Sequence, residues 1–372
     1  MYGEAELADI MRVAEFQGIS VAEAANKYAW QDDFAILATS IEEEYPTEFT
    51  TAKIEDEGAH IASISFRGPA PVAAKIKIAE FHVGRIQILE GRGVSASEID
   101  VRVEAAHRAI AARNDLVDVV TTNYDHVTDS IIVEAHPCPD NGASGQDAKK
   151  ISSDLLAGLP AELQPMTTVT VDPRVSAGTT SIGGGRMEQI GSDFLYCTGG
   201  FIAKTVGGTR GIATAGHCPN SFSYTYCGTC TEWSTSYLYG HEGTWGDFQF
   251  STVSDAELDD FYFDFGLIRD VAAVSNPVQN QNICRFGHTT GAHCSHVYNL
   301  SVCSTVGGVT WCKLVRMDNQ TSQGGDSGGP WYWGTTAYGI HHGSVTTTFG
   351  LDDVWSRVTY LDDALGDTIV TS

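Results

Sequence analysis

The chain has 372 residues, 42% of them hydrophobic and 10% aromatic, which suits two domains with their own cores and excludes a disordered protein. Its net charge of −25 repels phosphate backbones, so neither nucleic acid nor an anionic membrane is an expected partner. No run approaches the ~18 consecutive apolar residues of a membrane span.

The opening residues, MYGEAELADIMRV, carry acids where a secretory leader has a basic start and an apolar stretch. Residues 4–44 have a helical pattern, with Ser20 and Glu23 at capping-box spacing ahead of VAEAANKYAW. From His60 to Glu90 the pattern turns to short strands such as HIASISFRG and KIKIAEFHV. Ser95 and Glu98 open a second helix through IDVRVEAAHRAIAARN. Strand-like DVVTTNYD and SIIVEAHP follow, then a short helix around ISSDLLAGL and a strand in TTVTVDP. The division is a helical segment over 1–58 and an α+β domain over 59–175, with helices over an antiparallel sheet. Neither part contains a motif that carries chemistry.

Residues 176–186, SAGTTSIGGGR, are small and glycine-rich, which predicts a linker open to proteolytic processing. From 187 to 372 the texture is β-rich. FIAKTV, GIATAGH, DFQFSTV, GLIRDVAAV, SVCSTVGGVTWCKLV and TAYGIHH read as strands between turns, predicting an all-β sandwich or barrel. Cys138 stands alone in the first half, whereas eight cysteines lie between Cys197 and Cys312. That dense, even set predicts disulfides, an extracellular location and a leader ahead of this sequence. Cys227 and Cys230 also have zinc-ligand spacing, but no second such pair exists, so neither metal nor cofactor is expected.

The chemistry concentrates in Gly324-Gly325-Asp326-Ser327-Gly328-Gly329-Pro330. A serine between glycines has an unshielded hydroxyl, and glycine lets adjacent N–H groups turn toward one small space. Nucleophilic acyl transfer needs both features. Upstream, Thr214-Ala215-Gly216-His217-Cys218 places a histidine after a strand. TAGHC followed by GDSGGP resembles the chymotrypsin-like serine peptidases. CTGGFIAK, GIATAGHC and the stretch Arg285-Phe286-Gly287-His288-Thr289-Thr290-Gly291 resemble the bacterial streptogrisin and alpha-lytic branch.

That resemblance implies two β-barrels with the site between them, and Cys197–Cys218 and Cys284–Cys294 bridges. Cys303 and Cys312 flank a Val-Gly-Gly turn and could staple a hairpin, leaving Cys227 and Cys230 to pair locally. The triad order is His, Asp, Ser, with His217 as base and Ser327 as nucleophile. Two aspartates compete for the middle role. Asp264 in Asp264-Phe265-Gly266 has the closer local pattern, but too few residues separate it from Arg285 for a crossover and a further strand. Asp247 leaves that room and is the choice.

Gly325 and Ser327 N–H groups are the implied oxyanion donors, and Asp326 is implied to be a structural carboxylate paired with Arg285. Ser322, His341 and Ser344 fall where Glu-selective members place a serine, a histidine and a serine. A hydroxyl–imidazole–hydroxyl pocket can bind a carboxylate, with charge assistance from a protonated histidine. The N-terminal α+β half resembles a pro-domain that assists folding and then inhibits. The expectation is therefore a secreted, monomeric serine endopeptidase made as a zymogen, acting on proteins or peptides. A catalytically silent binding module is the alternative. An α/β-hydrolase is disfavoured because Pro330 follows the serine loop at once and little chain remains.

Overall fold

The computed structural model describes residues 2–137, 145–172, 187–189, 196–226, 231–253, 259–347 and 350–372. Cys138, the 176–186 linker and the Cys227–Cys230 pair lie outside them. Helices α1 (Glu4–Gln17), α2 (Val21–Tyr28) and α3 (Gln31–Glu44) open the chain. Ser20 Oγ caps α2 by accepting the Glu23 N–H at 3.1 Å, so the capping pattern acts as read. Strands β1 (Phe49–Asp56) and β2 (Ile61–Phe66) form an antiparallel pair.

The segment expected to be a strand, KIKIAEFHV, instead contributes most of helix α4 (Val72–Ala79). Ala74 and Ile78 are buried while Ile76 is 54% exposed, so the inward residues are four apart. The apparent alternation was helical spacing. Because α4 is a crossover, β3 (Arg85–Glu90) returns parallel to β2. After α5 (Ala96–Ala111), β4 (Val117–Asp125) and β5 (Ser130–Pro137) are antiparallel. Helix α6 (Gly145–Ala157) then carries the chain to β6 (Thr167–Val171), parallel to β5. The single antiparallel sheet expected for this half is thus two separate, mixed ones.

Most of residues 187–372 is antiparallel sheet. The first sheet runs in the order Asp367–Ile369, Ile202–Thr205, Arg210–Thr214, Gly246–Val253, Thr231–Gly243, Phe222–Tyr226, Met187–Gln189, Tyr196–Cys197. The second runs Asn282–Gly287, Pro330–Trp333, Thr336–Thr347, Gly350–Arg357, Val309–Met317, Gly291–Val306, and then continues into β4, β5 and β6. Disulfides join Cys197 to Cys218, Cys284 to Cys294 and Cys303 to Cys312.

The N-terminal half therefore adds strands to the second sheet. In that seam Val302 faces Asn123 and Thr305 faces Val120. The Cys303–Cys312 bridge closes the accepting hairpin, and both sulfurs lie in one apolar cluster with Ile99, Val103, Leu155 and Leu159. Helices α1 and α3 dock elsewhere, on strands Pro330–Trp333 and Thr336–Thr347 of the same sheet and on the separate Asp260–Asp264/Leu267–Asp270 hairpin, through one buried and one half-buried carboxylate. Asp9 forms a two-pronged pair with Arg269 at 2.7 and 3.1 Å and accepts the Gly334 N–H. Asp32 accepts hydroxyl protons from Tyr338 and Thr336 at 2.5 and 2.9 Å. Segment 1–58, which had no role in the sequence, is held by these contacts.

At the seam, His107 lies fully buried between Thr122 Oγ1 (2.9 Å) and Thr305 Oγ1 (2.7 Å). Burial, aided by the Arg108 charge, lowers its pKa from 6.5 to about 3. Between those values the unfolded chain binds a proton that the folded chain rejects. Stability from the neutral ring is complete above pH 6.5 and is lost as pH falls toward 3. Acidifying the full chain from about pH 7 to 4.5 should cost about 2–3 kcal/mol through this group. Denaturant midpoints at both pH values check it: His107→Gln should flatten the slope, and an unchanged slope would place the acid sensitivity elsewhere.

Candidate active site

The site is assembled where the two sheets of the peptidase half meet. Strand Arg210–Thr214 delivers the Thr-Ala-Gly-His turn, and Thr214 Oγ1 anchors it by donating to the Thr198 carbonyl at 2.5 Å. Gly216 is required there. A Cβ would stand 2.8 Å from Asp247 Oδ1 and from the carbonyls of His241 and Phe248. With no side chain, the turn presses its backbone against Asp247. The His217 N–H donates to Asp247 Oδ1 at 3.1 Å, and His217 Nδ1 lies 2.6 Å from Oδ2. An ionised carboxylate only accepts, so Nδ1 carries the proton and Nε2 is left basic.

Asp247 opens strand Gly246–Val253 and is wholly buried. Its own N–H donates to Ser356 Oγ at 2.9 Å, a hydroxyl from the second sheet. Burial pushes its pKa up, but attraction and hydrogen bonds from His217 and His342 outweigh this and hold it well below the usual carboxylate range. Asp264 is elsewhere. It sits at the tip of the Asp260–Asp264/Leu267–Asp270 hairpin and accepts Arg12 Nη2 at 2.5 Å. The aspartate that reaches His217 is the one chosen on chain length.

His342 was not foreseen as a site residue. Its Nδ1 lies 2.7 Å from the same Asp247 Oδ2, its ring meets His217 edge-on at 5.2 Å, and Trp311 packs against it at 4.6 Å between centroids. The one signal in the sequence was adjacency. Neighbouring residues of a strand point to opposite faces, so only one of His341 and His342 could enter the core. Ser327 lies at this corner, its Oγ donating to the His342 carbonyl at 3.1 Å.

The glycines of the serine loop have conformational work to do. Gly325 adopts φ +121° and Gly328 φ +87°, backbone states that side chains avoid. Asp326 is buried under this loop. Its Oδ1 accepts the N–H groups of Thr289 and Thr290, and its Oδ2 accepts Thr290 Oγ1 at 2.7 Å and the Gln323 N–H at 2.9 Å. Arg285 Nη1 adds an ion pair at 3.3 Å, with both partners at 0% exposure. A Cβ on Gly287 would collide with both groups, which gives that glycine its place in the Arg-x-Gly stretch.

Two of the three residues expected to line the pocket, Ser322 and Ser344, meet an acid that sequence reasoning passed over. Ser322 Oγ donates to Asp353 Oδ1 at 2.5 Å, and Thr321 gives Oδ2 both its N–H and its hydroxyl at 2.8 Å. These bonds tie the segment before the serine loop to strand Gly350–Arg357. Ser344 pairs opposite Asp353 and accepts Gln320 Nε2 at 3.3 Å. His341 is fully buried, with Trp331 Nε1 donating to its Nδ1 at 3.4 Å. Burial, with Arg285 nearby, drives its pKa far below the ordinary value. The ring is neutral, which removes the charge assistance expected of a protonated histidine.

No family model matches the sequence. Serine protease 2 of Streptomyces fradiae is 30% identical over 153 residues, covering 40% of this chain and 86% of that protein. Serine protease 1 of the same organism is 30% identical over 284 residues, 74% of this chain and 70% of the relative. Glutamyl endopeptidase 2 of Streptomyces griseus is 32% identical over 174 residues, 44% of this chain and 85% of the relative. With this similarity and this fold, the chain belongs to the chymotrypsin-like serine peptidases of the streptogrisin branch and is a serine endopeptidase acting on protein substrates.

Proposed function

We propose that the chain is made as a secreted, monomeric zymogen whose Ser327, His217 and Asp247 cut peptide bonds through an acyl-enzyme. Ser327 Oγ attacks the carbonyl carbon, and His217 Nε2 takes its proton and later gives it to the leaving amine. Asp247 holds the imidazole in the Nδ1–H tautomer and stabilises its charged form. The N–H groups of Gly325 and Ser327 receive the oxyanion, on a loop held by Asp326 and Arg285. The carrying observation is the double contact from His217 to buried Asp247, at 3.1 Å through N–H and 2.6 Å through Nδ1.

Two observations support the zymogen. The similarity to serine protease 1 spans 284 residues, more than the peptidase half contains. The N-terminal half docks by strand addition at β4, a mode whose main-chain hydrogen bonds give affinity. Residues 176–186 are the proposed cutting region, and the three disulfides support an extracellular home.

Side-chain selectivity has two readings. Likeness to a glutamyl endopeptidase, with Ser322, His341 and Ser344 in place, favours glutamate before the cut bond. The Asp353 carboxylate, 2.5 Å behind Ser322, favours a basic side chain instead.

Phosphonofluoridate should label Ser327 once the N-terminal half has been removed; no adduct would mean a silent binding module. On the same material Asp247→Asn should lower kcat by about 10⁴-fold, as amide replacement does in the template triad, while Asp264→Asn leaves kcat unchanged. The reverse pattern would overturn the assignment. Peptides differing only in the residue before the cut decide selectivity. Highest kcat/KM for glutamate carries the first reading, highest for lysine or arginine the second.

A further inference from the structure

Asp247 is approached by one histidine more than the proposed triad uses. We infer that His217 Nδ1, His342 Nδ1 and the Asp247 carboxylate form a three-ligand site for a divalent transition-metal ion such as zinc, and that binding there switches the peptidase off.

The three ligand atoms lie within 4.8 Å of one another. Both Nδ1 atoms lie close to Oδ2, at 2.6 and 2.7 Å, so two imidazole nitrogens and a carboxylate oxygen are already gathered in one place. Zinc binds imidazole nitrogen and carboxylate oxygen at about 2.0–2.2 Å, so an ion replacing the two ring protons needs these atoms to spread to only about 3.3 Å. Three protein ligands with a fourth place for water is a recurrent zinc arrangement, and two imidazoles favour zinc, copper or nickel over magnesium or calcium. Asp247 is buried, whereas the His217 side chain is 25% exposed, which leaves an entry path. Exposed Glu242, opposite Asp247 across the ladder, adds a second negative charge at the rim.

The switch follows from tautomers and rests on the triad reading. A neutral ring bound through Nδ1 releases that proton to solvent and takes one up at Nε2. His217 then has no lone pair to accept the Ser327 proton, and the carboxylate that orients it is engaged by the ion.

Zinc chloride titrated calorimetrically into the full chain near neutral pH, in a non-chelating buffer, tests the site without turnover. One saturable equivalent is expected. His342→Ser keeps a hydroxyl for Asp247 but removes the imidazole ligand, and should weaken zinc by more than about 10-fold, the lower end of the loss for even an outer partner. His241→Gln, nearby but outside the cluster, should bind as the unaltered chain does. Should His342→Ser fail to fold, cobalt(II) in the unaltered chain decides alone. Intense visible bands mark a four-coordinate site with nitrogen ligands, and the weak spectrum of the hydrated ion overturns the proposal. Absent saturable binding, or binding indifferent to His342→Ser, overturns it too. Zinc that binds without slowing phosphonofluoridate labelling of Ser327 after removal of the N-terminal half overturns the switch. Failure of labelling in zinc-free protein strikes the triad reading and leaves the binding result standing.

Discussion

Everything at the cleft depends on one buried charge. Asp247 has no exposure, yet its carboxylate stays ionised because three N–H donors meet it: the His217 main chain and the two Nδ1 groups. A buried carboxylate without such partners would cost several kcal/mol or take up a proton. Satisfying it fixes the turn before His217, while the Asp247 main-chain N–H, donating to Ser356 Oγ, ties the first sheet to the second. The side-chain-free Gly216 and the positive φ of Gly246 serve the same close approach. Orientation of the imidazole is thus a product of solvating one anion in a place that water does not reach.

Asp326 repeats this logic beneath the serine loop. It collects backbone and hydroxyl donors from Thr289, Thr290 and Gln323 and an ion pair from Arg285, so the loop geometry is determined inside the peptidase half itself. Buried Asp9 and Asp353 and half-buried Asp32 are further acids that join distant segments. A chain with 47 acidic and 22 basic residues therefore spends some of its negative charge as internal fasteners. Such contacts are directional, which hydrophobic packing is not, and they select one docking arrangement of the N-terminal half.

The motifs and the Cys303–Cys312 staple were legible because they are local, and the Cys197–Cys218 and Cys284–Cys294 bridges were implied by the family resemblance. TAGHC and GGDSGGP mark turns whose glycines permit special backbone states, and the choice of Asp247 over Asp264 came from counting residues to Arg285. The strand reading of KIKIAEFHV failed for a different reason. Ile76 and Ile78 alternating with lysines fit both a strand and a short helix, and only the burial of Ala74 with Ile78 separates the two. The sheet of the N-terminal half was missed likewise. Neither β2–β3 nor β5–β6 announces that the intervening helix returns the chain parallel, and nothing local in β4 says that its partner is a strand some 180 residues later.

By itself, the order of residues pointed to a peptidase through its motifs and their family resemblance, to a β-rich, disulfide-bearing C-terminal half and to an N-terminal half of helices and strands, which are matters of short-range pattern and composition. Tertiary structure alone decided that His342 joins His217 at Asp247, that Asp353 stands behind Ser322, and that His341 is wholly buried. Those outcomes are set by burial and by contacts between residues far apart in the chain. A side chain's dielectric surroundings and partners do not exist until the sheets have closed over it.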